Sequence, residues 1–488
     1  MAAPARSGVS HFAQFWLTWG SNYQAAAMPI DISQFAKAID PSRTLVVSDP
    51  DDREYYIDFA SVRGGAIVEK VRNRIAKLSP DDPTCSLFSG HIGCGKSTEL
   101  QNLKEQLEAE GFFVVYFAST DDLEVSDVDI IDVLLVIAKQ ISEQLDALDA
   151  LEIPAPGLRG LLKRTADILN TEIDVSGKLG VGDVKIGDVK VGGAQVGFDT
   201  GKRAVTLGAG IGSLTVKAKG DAGLRAKLNQ YLGPQKIELL NAINAELLEP
   251  AIAQLKARGY RGLVAIVDNL DRIDRSIKAF GKGQQEYLFV DQGSYLNELN
   301  CHTIYTMPLS LMFSNSLGNL LQVFKPPYVL PMVGIRHKDG ADCPEGLELM
   351  KQMVLARAFP KLSPEERRAN LGEVFEDEAC LEALCRYSGG HVRDVLSLLS
   401  QWVEEEMDLP LTMESLEYAV ADRGNILRLQ ISSEEWALLR EVRETKQVRD
   451  AEGFQQLIHT RMVFEYKEGR RSWFDINPIL ADAEELQA

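Results

Sequence analysis

The chain has 488 residues, 45% of them hydrophobic and 25% charged, with a formal net charge of −19. This is an ordinary soluble composition for roughly two to four domains, and the acidity excludes a protein that wraps nucleic acid over its whole surface. No apolar run approaches the roughly 18 residues of a membrane span, and the six cysteines lack zinc-ligand or disulfide-scaffold spacing, so reduced thiols in a cytoplasm are expected.

Residues 1–27 lack the apolar core of a secretory signal, and Arg6 is their one Lys, Arg, Asp or Glu. Met28-Pro29-Ile30-Asp31-Ile32 reads as a more ordinary start. Residues 1–54 are therefore expected to be an N-terminal extension and lead-in, followed by a helix over about 66–78. Thr84–Ser89 has strand character and runs into Gly90-His91-Ile92-Gly93-Cys94-Gly95-Lys96-Ser97-Thr98. Leu100, Leu103 and Leu107 then mark a helix. Strand, glycine loop and helix are the context that a G-x-x-x-x-G-K-S/T loop requires. Glycines let backbone N–H groups turn inward around a phosphate, and the helix N-terminus adds partial positive charge. Gly90 to Thr98 is thus the expected phosphate cradle, with Lys96 on the β and γ phosphates and Ser97 offering a hydroxyl to Mg2+. A chance glycine turn is the competing reading, and the intact flanks weigh against it.

Phe112–Ala118 reads as a second strand and Ile130–Leu148 as an amphipathic helix. Residues 171–220 differ: glycines recur at every fifth place through Gly182, Gly187, Gly192 and Gly197. Short strands joined by glycine turns are expected there, projecting as an arm toward a partner or another subunit. A low-complexity insertion without fixed structure is the alternative. Helices resume over 222–259. Gly262–Val267 is an unbroken apolar run, the mark of a buried parallel strand, and it ends in Asp268-Asn269-Leu270-Asp271-Arg272. A P-loop needs an acid on a neighbouring strand to hold magnesium, and Asp268 stands at such a strand end. The plainer reading is a strand-terminal turn, where Asp and Asn are common. Asn269 follows, and an amide accepts no proton. Asp271 is the nearest carboxylate to act as base, so hydrolysis is expected to be slow.

Cys301–Thr306 reads as another core strand, whose terminal Thr306 either bonds the attacking water or γ-phosphate or merely closes the strand. Tyr328–Leu330 is the last expected strand. Ser388-Gly389-Gly390-His391-Val392-Arg393 opens a helix that continues through Leu396, Leu398 and Leu399. A cation in a first helical turn is disfavoured unless an anion is near, so Arg393 is a candidate nucleotide sensor, with a plain surface arginine as the alternative. Arg272 and Arg336 are candidates for an arginine finger across a subunit interface, though surface ion pairing is the preferred reading of both. At the C-terminus, Glu434–Val442 and Asp450–His459 read as helices, and Val463–Tyr466 and Ser472–Ile476 as a hairpin tipped by Lys467, Arg470 and Arg471. The tip suits a phosphate backbone. The second helix, with Asp450, Glu452 and Gln456, lacks the basic residues of a recognition helix.

In that order and spacing, Gly90–Ser97, Val264–Asp271, Thr303–Thr306 and Gly389–Arg393 resemble the AAA+ and STAND superfamily of P-loop ATPases, over about residues 55–480. The Asp268–Arg272 run is more similar to STAND-type signalling ATPases than to processive motors. The resemblance implies an α/β fold: a P-loop parallel sheet flanked by helices over 55–335, interrupted by the glycine-rich β insertion, then a helical lid over 336–410 and a winged helix over 411–488. It implies ATP and Mg2+ as ligands, with Ser97 and Asp268 on the metal, and packing of Tyr55–Gly65, including Arg63, over the adenine. Candidate catalytic residues are Lys96, Asp268, Asp271, Thr306 and Arg393. The expected function is a cytoplasmic switch ATPase acting through a protein partner or self-assembly, without membrane contact. The alternative is a DNA-transaction ATPase of the origin-recognition type, with the winged helix on duplex DNA, and a third reading is a scaffold that binds ATP without hydrolysing it.

Overall fold

The computed structural model describes residues 30–148, 153–176, 199–200, 203–204, 206–278, 281–449 and 451–487. The extension over residues 1–27 and most of the glycine repeat, 177–198, lie outside the described residues. Five strands form one parallel sheet: β1 (Cys85–Gly90), β2 (Phe113–Ala118), β3 (Leu263–Asp268), β4 (His302–Pro308) and β5 (Tyr328–Leu330). Their order is β2-β3-β4-β1-β5. Every residue of β1, β3 and β4 is buried, which is why these segments read as continuous apolar runs rather than alternating ones. One expectation needs correction here. The acid-bearing β3 is not the neighbour of the loop-bearing β1, because β4 is inserted between them.

Helices cover both faces of the sheet: α1 (Lys96–Ala109), α2 (Ile130–Asp146), α3 (Pro156–Ser176) and α4 (Leu207–Gly220) among them. Asp129 opens α2 with a capping box that Asp132 completes. The helix is buried nearly all round, because the sheet covers one side and α4 the other. Helix α4 and the end of α3 correct the expectation of β-structure throughout 171–220. From Leu207 the five-residue glycine spacing gives way to helical spacing, with Leu207, Ile211, Leu214 and Ala218 buried on one face. Thr206 caps this helix by accepting from the Ala209 N–H. β-structure among the described residues of the segment is the small antiparallel pair Asp199–Thr200 with Arg203–Ala204.

The lid consists of α5 (Pro344–Ala358), α6 (Glu378–Ser388) and α7 (Val392–Glu406), and α8 (Met413–Arg428) leads out of it. Its core holds Phe375 against Trp402, with ring centroids 5.5 Å apart, and takes in Phe35, Ile39 and Phe59. The lead-in thus packs as part of the lid rather than as a separate unit. The winged helix follows as α9 (Ser433–Thr445), α10 (Ala451–His459) and the hairpin β6 (Val463–Glu468) with β7 (Arg471–Ile476).

The hairpin does not project. Phe464, Tyr466 and Trp473 are buried in the same cluster as Phe88 and Leu330 of the parallel sheet and Leu100 of α1. Burying each such ring stabilises the docked arrangement by roughly 2 kcal/mol. The Met332 N–H adds a backbone bond to the Glu465 carbonyl at 3.0 Å. Helix α10 also faces inward: Gln455 donates to the Phe313 carbonyl (3.1 Å), and Arg275 donates to Gln456 (2.6 Å). Among the described residues no helix is long and apolar enough to cross a membrane.

Candidate functional site

The loop after β1 carries two glycines that only a residue without a Cβ fits comfortably. Gly93 has φ +91°, and a Cβ there would lie 2.8 Å from the Arg393 Cβ. Gly95 has φ +101° and is the left-handed residue from which α1 starts. The Lys96 ammonium folds back over the loop, donating to the carbonyls of Gly90 and His91, both at 2.9 Å. It also pairs with the Asp271 carboxylate at 2.9 Å, with both side chains almost fully buried. Burial works against the ammonium, but Asp271, joined by Cys94 and Asp268, holds Lys96 above its ordinary pKa.

On the other side of the cleft, Asp268 ends β3 and accepts from the Tyr116 hydroxyl at 2.7 Å and from the Asn269 N–H at 2.7 Å. Ser97, at the start of α1, stands near the same tyrosine. One hydroxyl and one carboxylate are thus brought together from α1 and β3, although β4 separates their strands. No group of three or more potential metal-ligating side chains gathers among the described residues. The pair fits magnesium, a hard cation that takes one or two protein oxygens and completes its shell with water and phosphate oxygens. Asn269 adopts φ +60°, a left-handed conformation that Asn tolerates well. The Thr306 hydroxyl accepts from the N–H of Leu270 at 2.8 Å and of Asp271 at 3.4 Å. That engagement shapes the turn carrying Asp271; the hydroxyl is fully buried in it rather than turned to the cleft.

The loop opens into a cleft that Gly93, Gly95, Lys96, Ser97 and Thr98 line on one side. Its far wall comes from Tyr55, Ile57 and Phe59, just after the lead-in, and from Met353, Arg357 and Leu396 of the lid. Arg63 is 2% exposed and stacks over Phe59 with its guanidinium carbon 5.1 Å from the ring centre. It donates to the Cys94 carbonyl at 2.7 Å and lies 3.6 Å from Glu99. Burial pushes the Glu99 carboxyl up, and Arg63 only partly opposes this. Arg357 is buried, bonds the Tyr55 carbonyl at 2.9 Å, and is pulled down by burial to a pKa of about 10. Sequence reasoning missed Tyr116 and Arg357, because nothing local marks a residue whose partner lies more than a hundred positions away.

Lid and winged helix close on three consecutive loop residues, the lid on Ile92 and Gly93 and the wing on His91. His391 caps α7 and donates from Nε2 to the Ile92 carbonyl at 2.9 Å. The Arg393 N–H donates to the Gly93 carbonyl at 3.1 Å. The His91 ring accepts the Glu465 N–H of the wing at 2.9 Å. Phe464 lies between the two imidazoles, stacked on His391 at 5.6 Å and edge-on to His91 at 5.7 Å. Asp394 ties the junction to the winged helix by pairing with Arg461 at 3.2 Å. Of the two candidate arginine fingers, Arg336 lies 3.9 Å from Asp475 within the chain, and Arg272 lines this chain's own cleft.

A glycine loop between a parallel strand and α1, an acid ending a strand one removed, a helical lid and a winged helix together make an α/β fold of the P-loop type. No protein-family profile matches the chain, and no curated protein is significantly similar to it. Among solved structures it is similar to the Aeropyrum pernix ORC1 protein in complex with DNA, at 13% identity and a TM-score of 0.34 over 90% of this chain and 97% of that one. It is also similar to the Aeropyrum pernix ORC2 protein in ADPNP and ADP complexes (12%, TM-score 0.35, 92% and 96%). A Walker-type ATPase of Pyrococcus abyssi is a third (11%, TM-score 0.37, 92% and 100%). The functional reading rests on the geometry of this chain.

Proposed function

We propose that the chain is a switch ATPase that binds Mg·ATP at Gly90–Thr98, hydrolyses it slowly, and passes the state of the site to its lid and winged helix. The single observation that carries this reading is the junction at His91, Ile92 and Gly93, where the phosphate loop bonds the wing and the lid directly. A ligand that reshapes the loop necessarily disturbs both. Lys96 and Arg393 bind phosphate, while Ser97 and Asp268 would hold the magnesium ion. When bound, that ion neutralises charge on the phosphates. Once phosphate engages Lys96, the Asp271 carboxylate loses its partner and becomes available to accept the proton of a water. Thr306 holds the backbone that presents it. With an amide at Asn269 in place of an acid, turnover is slow and the ATP state lasts. The released lid or wing then engages a protein partner or a second copy of the chain.

A second reading, a DNA-transaction ATPase of the origin-recognition type, is favoured by Arg470 and Arg471, which are exposed at the hairpin turn. Against it, Lys467 packs on Gly64, and α10 faces the ATPase core. Steady-state ATP hydrolysis by wild type and Lys96→Ala, with and without duplex DNA, tests both. Slow, Lys96-dependent turnover unchanged by DNA supports the switch. A several-fold rise with DNA would put the second reading first, and wild type unable to bind ATP would remove both.

A further inference from the structure

We propose that Arg272 and Arg393 of the same chain clamp the terminal phosphate, so that a pair of guanidinium groups tells ATP from ADP. This rests on the cleft being a nucleotide site, and it adds the residue that reads the number of phosphates.

Arg272 ends the turn Leu270–Arg272 that follows Asp268, and Thr306 fixes that turn. Its backbone N–H bonds the Asn269 carbonyl at 3.0 Å. Among the described residues no carboxylate is ion-paired with it, although it lines the same cleft as Gly93, Lys96 and Arg393. Arg393 is in the same condition: its Nε reaches the Pro41 carbonyl at 3.3 Å, and no carboxylate ion-pairs with it among the described residues. The other cations close to the phosphate loop differ, since Lys96 has Asp271 and Arg63 has Glu99. Burial, and next to it the nearby charge of Arg272, hold Arg393 below the ordinary arginine range. Two unneutralised guanidinium groups near each other in a partly buried cleft repel, and an anion between them reverses the sign of that energy.

The two groups come from different bodies. Arg272 belongs to the sheet, beside the acid, and Arg393 belongs to the lid. An anion held by both draws the lid toward the sheet, whereas a diphosphate engages Lys96 and the N-terminus of α1 without requiring the pair. Arg272 therefore acts in its own chain and needs no second subunit to reach a phosphate.

The test is calorimetric titration of ADP and of ATPγS, each with Mg2+, into wild type, Arg272→Ala and Arg272→Lys. Arg272 is exposed, so the variants keep the fold, which their urea midpoints check. The clamp predicts that Arg272→Ala weakens ATPγS on the order of tenfold and ADP less than about twofold, with partial recovery in Arg272→Lys. It also predicts that ATPγS protects amides 391–396 from hydrogen exchange in wild type but not in Arg272→Ala. Equal losses for both nucleotides, or none for either, overturn the clamp. Wild type binding neither nucleotide removes the nucleotide reading and the clamp with it.

Discussion

Lys96 and Asp271 sit 2.9 Å apart and almost fully buried, so each is the other's main source of charge compensation. Removing one partner of such a pair leaves a buried charge unpaired, at a cost of about 3 kcal/mol. Lys96→Ala is thus expected to lower the urea midpoint as well as to abolish nucleotide binding. Lys96→Met with Asp271→Leu should recover the midpoint and not the binding, which separates the two effects. A second residue-scale effect belongs to pH. The Thr84 hydroxyl meets His302 Nδ1 at 2.9 Å, and burial pulls the imidazole from 6.5 to about 4. The folded state therefore binds the extra proton less readily than the unfolded chain does. Stability is full above pH 6.5 and falls as pH drops from 6.5 toward 4, by on the order of 3 kcal/mol in all. Buried His91, also pulled well below its ordinary value, adds in the same direction. His302→Gln keeps a partner for Thr84 and should make the plot of urea midpoint against pH shallower across that window; an unchanged slope would refute this assignment.

At the scale of elements, the loop, lid and wing form a mechanical junction. Phe464 fills the space between His91 and His391, and its removal leaves a cavity where three elements meet. Phe464→Ala is expected to cost about 3 kcal/mol. It should also free the winged helix, seen as faster hydrogen exchange over β6 and α10 with slower change in β3 and β4. Uniform exchange across all of these would mean that the wing is not a separable element. Gly390 shows the same tightness from the lid side, since a Cβ there would lie 2.0 Å from the Val333 carbonyl. Most of these elements were legible locally. The glycine loop and α1, the apolar runs of β3 and β4, the three-residue β5 and the hairpin all carry their signal within a few neighbouring residues. Thr306 was expected to end its strand, but the strand runs on to Pro308 and the hydroxyl holds the Leu270–Asp271 backbone. That partnership needed the pairing of β3 with β4.

For the whole molecule, the glycine-rich segment decides how the chain can be cut. Helix α4 buries Leu207, Ile211 and Leu214 against α2. Deleting 175–218 would strip this face and destabilise the core. Replacing 178–204 with a flexible glycine-serine linker should instead leave the urea midpoint and nucleotide affinity near wild type. If the segment is the partner-binding arm, only that shorter deletion isolates the loss of assembly, read by light scattering. A collapse of stability in the shorter deletion would instead assign the segment to the fold.

The sequence by itself determined the glycine loop between β1 and α1, the aspartate at the end of β3, the Asn269 that follows it and the order of sheet, helical lid and winged helix. These depend on glycine geometry, apolar runs and helix starts, all of which act over a few residues. Tertiary structure alone decided that β4 lies between β1 and β3, that Tyr116 bonds Asp268, and that Arg272 lines its own cleft. It also decided that the wing is buried against the loop rather than presented to solvent. Each of these is a contact between residues far apart in the chain. Its energy comes from burial and charge neutralisation that exist only once the elements have packed, and no local pattern encodes it.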